Sequence, residues 1–126
     1  MKTLQIIEGA YRCNLEEQDD PALWLLGAMR AAGAELTLLL AGNAVNYAVR
    51  AQDASGLRFG EKRQTQPPEI AKDLARQIAL GAQALVVEED VAERGLERGD
   101  LIAGVRGISR ATLPQLIAAH GRVFRF

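Results

Sequence analysis

The stretch Ala84-Leu-Val-Val-Glu-Glu-Asp-Val-Ala-Glu-Arg-Gly95 joins an apolar strand to three consecutive carboxylates and then to an Arg-Gly pair. Its apolar half, residues 84–87, has the composition of a strand that is covered on both faces of a parallel sheet. In such sheets ligands bind beyond the carboxyl ends of the strands, so Glu88, Asp90 and Arg94 are predicted to face a binding crevice. This stretch therefore predicts an α/β fold whose crevice is acidic and receives no thiol from this strand.

The composition is that of an ordinary single domain covering residues 1–126. The chain is 48% hydrophobic and 25% charged, and a chain of this length can bury about two thirds of its unfolded surface in one core. Because 15 Lys and Arg residues stand among 16 Asp and Glu residues, there is no basic excess and nucleic acid is not expected as a partner. Short apolar runs and a single cysteine favour a cytoplasmic protein that does not enter the membrane.

Strands and helices are predicted to alternate along the chain. We expect strands at five places, namely residues 3–8, 35–40, 84–87, 105–108 and 122–126. We expect helices to begin near residues 21, 43, 67, 96 and 112, and residues 52–66 to form a long surface loop. This alternation predicts a three-layer α/β/α sandwich with about five mostly parallel strands.

Two helix beginnings carry specific signals. Asp20 is a good N-cap because Pro21 follows it at the first helical position, and Gly33 is placed to end that helix. Thr112 with Gln115 three residues later has the spacing of a capping box for the last helix.

The order of several short segments resembles the DsrE/DsrF-like family of sulfur-relay proteins. The segments are Glu8-Gly9-Ala10-Tyr11, Ala31-Ala-Gly-Ala-Glu35, Leu38-Leu-Leu-Ala-Gly-Asn-Ala-Val45, Glu93-Arg94-Gly95-Leu96, Leu101-Ile-Ala-Gly-Val105 and Arg122-Val-Phe-Arg-Phe126. The resemblance covers almost the whole chain and implies a DsrEFH-like fold. It also implies a homo-oligomer, either a trimer or a two-ring hexamer, or an assembly with related subunits and a sulfur-carrier protein.

The resemblance also identifies what this chain lacks. Sulfur-transferring members of the family carry a cysteine at the position of Val87, and some carry a second one at the position of Asp90. A persulfide carrier needs a thiolate sulfur, which neither valine nor a carboxylate supplies. Because the family also contains subunits without this cysteine, the resemblance implies a non-catalytic binding or partner subunit. The expected ligand pocket then consists of Glu8, Tyr11, Asn43, Glu88, Asp90 and Arg94.

Cys13 keeps a catalytic alternative open. It follows the first strand, on the sheet edge where the crevice is expected, and Arg12 beside it would favour the thiolate. Four nearby carboxylates, those of Glu16, Glu17, Asp19 and Asp20, would oppose the thiolate. Cys13 is thus the candidate catalytic residue of a sulfurtransferase or persulfide carrier, against the alternative of an inert loop cysteine.

A third function class is an enzyme that binds a metal or a nucleotide at the acidic strand edge. Glu88, Glu89 and Asp90, with Glu8, are hard oxygen ligands. However, carboxylates at the start of a helix are stabilised without a metal, Asp90 with Glu93 resembles a capping box, and no phosphate-binding motif follows the first strand. We therefore expect neither a metal nor a cofactor.

Five further residues have structural interpretations. Asn43 either orients a ligand or caps the second helix. His120 lies at the end of the last helix, where the helix dipole favours a partly cationic imidazole. Trp24 and Tyr47 fall on helices and are expected to be either core residues or subunit contacts. Apolar helix residues such as Trp24, Tyr47 and Val49 support the expected oligomer if they exceed the needs of one core.

Overall fold

A five-stranded parallel sheet organises the protein. The computed structural model describes residues 2–10 and 20–126, so Tyr11 and Cys13 lie outside the described residues. The strands and helices, in chain order, are β1 (Lys2–Ile7), α1 (Pro21–Ala31), β2 (Glu35–Leu40), β3 (Arg58–Phe59), β4 (Lys62–Arg63), α2 (Ile70–Ala79), β5 (Gln83–Val87), α3 (Glu88–Glu93), β6 (Val105–Ile108), α4 (Leu113–Ala118) and β7 (Arg122–Arg125). The predicted α/β class and all five predicted strands are confirmed.

The strand order of the main sheet is β6-β5-β2-β1-β7, and every neighbouring pair is parallel. Along the chain, β1, β2, β5 and β6 add to the sheet one after another on the same side. The last strand, β7, then pairs with the other side of β1. Parallel pairing puts the carboxyl ends of all five strands at one edge. This edge is therefore where residues following β1, β2 and β5 meet.

The larger part of the core lies on one face of the sheet. Here Leu38, Leu40 and Val86 from the strands are buried against Leu26 of α1 and Leu74 of α2. A 3-10 helix at Gly42–Ala48 completes this layer, where the sequence had predicted a helix beginning near residue 43. The apolar residues of α1 and α2 recur every three to four positions, which gives each helix one buried side.

The opposite face is covered by a thinner layer. Leu4, Leu39 and Leu85 are buried there and pack with Leu113 and Leu116 of α4. Because α4 has six residues, it covers little of the edge strand β7, all four residues of which are exposed. None of the described helices is long and apolar enough to cross a membrane.

The beginning of α1 confirms the capping prediction and adds a tertiary contact. The carboxylate of Asp20 accepts hydrogen bonds from the backbone amides of Ala22 at 2.9 Å and Leu23 at 3.2 Å. Its second oxygen accepts a hydrogen bond from the hydroxyl of Tyr47. Tyr47 and Asp20 are both fully buried, so this carboxylate ties α1 to the segment that follows β2. Tyr47 therefore supplies no surface to a subunit contact, which corrects that expectation.

The predicted surface loop contains a small hairpin. Residues of β3 and β4 pair in antiparallel orientation, with Phe59 opposite Lys62. Gly60 has a φ of +62° at the first position of the two-residue connection, which is the position that a type II′ turn reserves for glycine. The hairpin presents exposed apolar side chains, since Leu57 and Phe59 are 54% and 60% exposed.

One helix prediction and one capping prediction in the second half were wrong. Residues 96–105 form no α-helix: Leu101 makes an isolated antiparallel bridge with Val49, and the amide of Ile102 donates to the carbonyl of Ala48. The segment instead contains a short 3-10 helix at Arg98–Asp100, after which Leu101 packs into the core. Thr112 makes no side-chain cap to α4; the preceding 3-10 turn is capped instead by the hydroxyl of Ser109.

Candidate functional site

The carboxyl ends of β1, β2 and β5 converge as predicted. After β2, the amide of Ala41 donates to the carbonyl of Ile7 at 2.9 Å, so the chain stays beside β1 for one further residue. Gly42 then turns with a φ of +55°, and its amide donates to Asp90 Oδ2 at 2.8 Å. A side chain on Gly42 would lie 3.4 Å from the carbonyl oxygen of Glu8. Segments that are 34 and 48 residues apart in sequence thus meet at one place.

Asp90 is the buried centre of this edge, with 4% of its surface exposed. Besides the amide of Gly42, it binds the guanidinium of Arg110 with an Oδ1 to Nη2 distance of 2.5 Å. Burial raises the pKa of Asp90, but the Gly42 hydrogen bond and the charge of Arg110 outweigh it, so the pKa lies below its ordinary value. The same ion pair raises the pKa of Arg110. Asp90 is therefore an anion held by two other segments.

Asp90 does not form the predicted capping box with Glu93. The helix α3 begins at Glu88, directly after the strand, and its N-cap residue Val87 makes no side-chain hydrogen bond. Asp90 consequently lies in the first turn of the helix, where its carboxylate turns inward to Gly42 rather than back to its own backbone. A carboxylate in a first helical turn is still favoured by the exposed amides of that turn.

Asn43 and Arg94 form a second link across the edge. The Oδ1 atom of Asn43 accepts from Arg94 Nη2 at 2.8 Å and from Nε at 3.1 Å, and Arg94 Nη1 also donates to the backbone carbonyl of Asp90 at 3.0 Å. Asn43 caps no helix, because the 3-10 helix has Ala41 at its N-cap and no side-chain cap. Of the two interpretations given to Asn43, the structure contradicts capping and shows it positioning a guanidinium.

The carboxylates of this edge are held separately rather than as one set. Glu8 binds Arg125 Nε at 2.6 Å, and Glu88 lies 3.9 Å from Arg98. Glu89 accepts the backbone amide of Arg110 at 2.6 Å. Among residues 2–10 and 20–126, no three His, Cys, Asp or Glu side chains are grouped in a way that could hold a metal ion. The geometry of these carboxylates thus gives no support to the metal-binding alternative.

A groove of about 720 Å³ adjoins the edge. It lies between the 3-10 helix after β2, the loop that carries the β3–β4 hairpin and the start of α2, and its apolar wall consists of Val49, Leu57, Pro67, Pro68, Ile70 and Leu96. The groove is joined to the edge through Asn46, which lines it and donates to the carbonyl of Asn43 at 3.0 Å. A volume of this size suits a small molecule or a short peptide segment.

The sequence did not reveal this groove. Gln52 shapes it: its amide nitrogen donates to the carbonyls of Asn46 and Tyr47, and its Oε1 accepts the amide of Ala71. These bonds fold the loop against two elements that are distant from one another in sequence. The one available signal was the pair Pro67-Pro68 between two apolar segments, which fixes the direction of the chain without showing what it faces.

Val87, where the sequence resemblance led us to look for a cysteine, is completely buried. It ends β5 opposite Ile108 of β6 and belongs to the core beneath α4. Three residues later, the buried carboxylate of Asp90 lies in the first turn of α3. The part of the edge formed by β5 and α3 therefore offers a buried hydrocarbon and a fixed anion, with no sulfur atom.

His120 and Trp24 lie away from this edge. His120 Nδ1 is 2.7 Å from the carbonyl of Leu116, and Nε2 is 3.0 Å from the hydroxyl of Thr37, so both ring nitrogens are engaged. His120 joins α4 to the sheet, which agrees with its structural interpretation. Trp24 is 62% exposed on α1 and remains available for a contact with another molecule.

Comparison with known proteins shows the fold. No protein-family model matches the chain, and no curated protein matches it. Among solved structures, the ychN protein from E. coli is similar over 100% of both chains, with 23% sequence identity and a TM-score of 0.73. MTH1491, a protein of unknown function from Methanobacterium thermoautotrophicum, is similar over 98% of this chain and 96% of its own, with 15% identity and a TM-score of 0.62. The chain thus has the α/β fold of these two proteins.

Proposed function

We propose that this chain is a cytoplasmic binding subunit of a sulfur-relay assembly of the DsrE/DsrF type, and that it takes part without forming a persulfide at the end of β5. The observation that carries the proposal is the pair Val87 and Asp90. One is buried hydrocarbon and the other a buried anion bound to Gly42 and Arg110, whereas a sulfur-transferring subunit needs thiolates there.

Besides the absence of a sulfur atom, the surroundings of Asp90 also oppose persulfide chemistry at this position. A persulfide-bearing residue has to be reached by a donor and then by an acceptor thiol. Asp90 is enclosed, and Arg94 and Arg110 on either side of it are occupied by Asn43 and by Asp90 itself. Such a network rigidifies the edge and suits a surface that another protein or a ligand recognises.

The binding surface that we propose consists of Asn43, Arg94 and the adjoining groove. It also includes the carboxylates of the same sheet edge, namely Glu8, Glu88 and Asp90. Tyr11, from the same predicted pocket, lies outside the described residues. The groove supplies an apolar wall and Arg94 a cation beside it. Sites of this kind combine apolar area for affinity with a few polar groups for orientation. The proposed occupant is a segment of a related subunit or of a sulfur-carrier protein.

Exposure to a sulfane-sulfur donor tests the proposed function. Thiosulfate or polysulfide is added to the purified protein, and intact mass spectrometry is recorded before and after reduction. We expect no stable addition of sulfur that reductant removes, because the proposed role needs no persulfide and the chain's single cysteine, Cys13, is outside the stretch that ends β5. Cys13→Ser serves as the matched control. A reducible sulfur adduct on the native protein that is absent from Cys13→Ser would instead support the persulfide-carrier alternative, for which the described residues offer no geometry.

Oligomerisation belongs to the same proposal. We propose a trimer or hexamer in which the β3–β4 hairpin contacts a neighbouring subunit, because Leu57 and Phe59 place exposed apolar area beside the groove. Size-exclusion chromatography with light scattering is expected to give at least three times the mass of one chain. Phe59→Ser is expected to shift the distribution toward smaller species.

The control for that variant is Ile117→Ser, which removes an exposed apolar side chain from α4. This variant should keep the native mass, since α4 lies on the other face of the sheet. A monomer for the native protein at micromolar concentration would refute the oligomer. An equal effect of Ile117→Ser and Phe59→Ser would refute the assignment of the interface to the hairpin.

A further inference from the structure

A second recess, of about 340 Å³, lies at the amino edge of the sheet, at the opposite end of the strands from Asp90. The starts of β1, β2 and β5 form its floor through Lys2, Glu35 and Gln83, and Arg106 of β6 reaches it from the sheet's edge. From the layer of α4, His120 closes one side. With Arg30 of α1, the recess is built from six elements, and it shares no lining residue with the carboxyl-edge site.

Positive charge is concentrated around this recess. Lys2, Arg30 and Arg106 line it, and Glu35, opposite Lys2 in the β1–β2 register, is the one carboxylate in its described lining. Within the described part of the chain, none of the three cations lies within 4.0 Å of a carboxylate oxygen. The carboxyl edge behaves differently, since its arginines are paired with acids. Cations gathered around a concave surface create a local potential that concentrates anions, even in a chain whose net charge is −1.

Neutral polar groups and apolar walls complete the recess. The Nδ1 atom of His120 donates to the carbonyl of Leu116, and its Nε2 atom lies within hydrogen-bond distance of the Thr37 hydroxyl. The side-chain amide of Gln83 is a donor in the lining. The exposed Leu80 and the half-buried Leu116 provide apolar contact area beside these groups. A bare inorganic anion would leave that apolar area in contact with water.

We propose that the amino-edge recess binds a small organic anion, namely a compact apolar body that carries one phosphate or carboxylate group. Arg106 and the side-chain amide of Gln83, on neighbouring strands, contact the anionic group. Lys2 and Arg30 contribute to the potential, and the leucine side chains contact the body. A guanidinium suits both groups because it donates two parallel hydrogen bonds to either. The site is independent of the proposed sulfur-relay role, since none of its lining residues belongs to the carboxyl edge or the groove.

Isothermal titration calorimetry with phenyl phosphate, benzoate and benzyl alcohol tests the proposal on the full chain. The two anions represent the two sources of the same chemistry, and benzyl alcohol keeps the body without the charge. We expect at least one anion to bind with one site per chain and benzyl alcohol to bind at least tenfold more weakly. Absence of binding by both anions, or equal binding of the alcohol, would overturn the proposal.

Substitution locates the site. Arg106→Gln removes the contacting cation and is expected to weaken anion binding about tenfold, the effect of losing one charged hydrogen bond. Lys2→Gln removes a cation that contributes only to the potential and is expected to weaken binding less. The matched control is Lys62→Gln on the exposed hairpin strand β4, which should leave the affinity unchanged. Native-like thermal melts of the unliganded variants verify their folding. Full affinity in Arg106→Gln, or an equal loss in Lys62→Gln, would place the anion elsewhere and refute the assignment.

Discussion

Replacing Asp20 with alanine is expected to lower the free energy of unfolding by about 3 kcal/mol, which combines the usual loss of an N-cap with the loss of a hydrogen bond to a buried hydroxyl. One oxygen of this carboxylate holds the amides of Ala22 and Leu23, and the other accepts the hydroxyl of Tyr47. Since Asp20 and Tyr47 are fully buried, water cannot replace the lost partner at no cost. Equilibrium unfolding in urea, followed by far-UV circular dichroism, measures the change.

Two further variants separate these contributions. Asp20→Asn keeps an oxygen that can cap the helix, and its amide can donate to the tyrosine oxygen, so we expect a smaller loss, about 1–2 kcal/mol. Tyr47→Phe removes the hydroxyl and leaves the cap, with an expected loss of about 1–3 kcal/mol. If Asp20→Ala costs no more than Asp20→Asn, the carboxylate does not link α1 to the segment after β2.

The Asp20 cap illustrates what the sequence made predictable. Its interaction with Ala22 and Leu23 is local, and the dipeptide Asp20-Pro21 encodes it directly. Its hydrogen bond to Tyr47 joins residues that are 27 positions apart in the sequence, and no local sequence pattern predicts it. Strands were predictable for a related reason, because a central parallel strand must be apolar on both faces, as the burial of residues 36–40 shows.

Wrong helix predictions arose where one local pattern fits two structures. Leu101 and Val105 are four residues apart, a helical spacing, but Leu101 bridges Val49 and Val105 begins a strand. Asn43 had the residue type of a helix cap, yet its amide oxygen binds Arg94, 51 residues later in the chain. In each case a tertiary partner decided between local alternatives of similar energy.

The sequence predicted where the candidate site lies, but it did not predict which side chains interact there. Parallel pairing of β1, β2 and β5 forces the segments after Ile7, Leu40 and Val87 to one edge, so their convergence follows from the strand pattern. The partners Arg110 and Arg125 come from β6–α4 and β7, whose places in the sheet depend on the strand order. The strand order could not be read from the sequence, and the groove beside the edge depends on tertiary hydrogen bonds of Gln52.

Replacing Asp90 with alanine is expected to lower the free energy of unfolding by about 2–3 kcal/mol and to loosen the carboxyl edge. The variant leaves the Gly42 amide without its acceptor and removes the anion from Arg110. Because half of the Arg110 side chain is exposed, water recovers much of the loss on that side, so most of the expected effect comes from the partly buried hydrogen bond to Gly42. Urea unfolding gives the energy, and hydrogen exchange at the Gly42 amide is expected to accelerate.

The Asp90→Asn variant keeps the shape of the side chain and removes its charge. The pH dependence of stability of the two proteins therefore isolates the contribution of the charge. The pKa of Asp90 is lower in the folded protein than its ordinary value, so the protein gains stability from this group at pH above the unfolded value of about 3.9. That gain is lost as the pH falls through the lower folded pKa, where Asp90 binds a proton. Native protein should therefore exceed Asp90→Asn in stability most near neutral pH, and the difference should shrink in acid. A difference that stays constant from neutral pH to below the folded pKa would show that the Arg110 pair and the Gly42 bond do not favour the charged carboxylate, and the edge would then be held by packing alone.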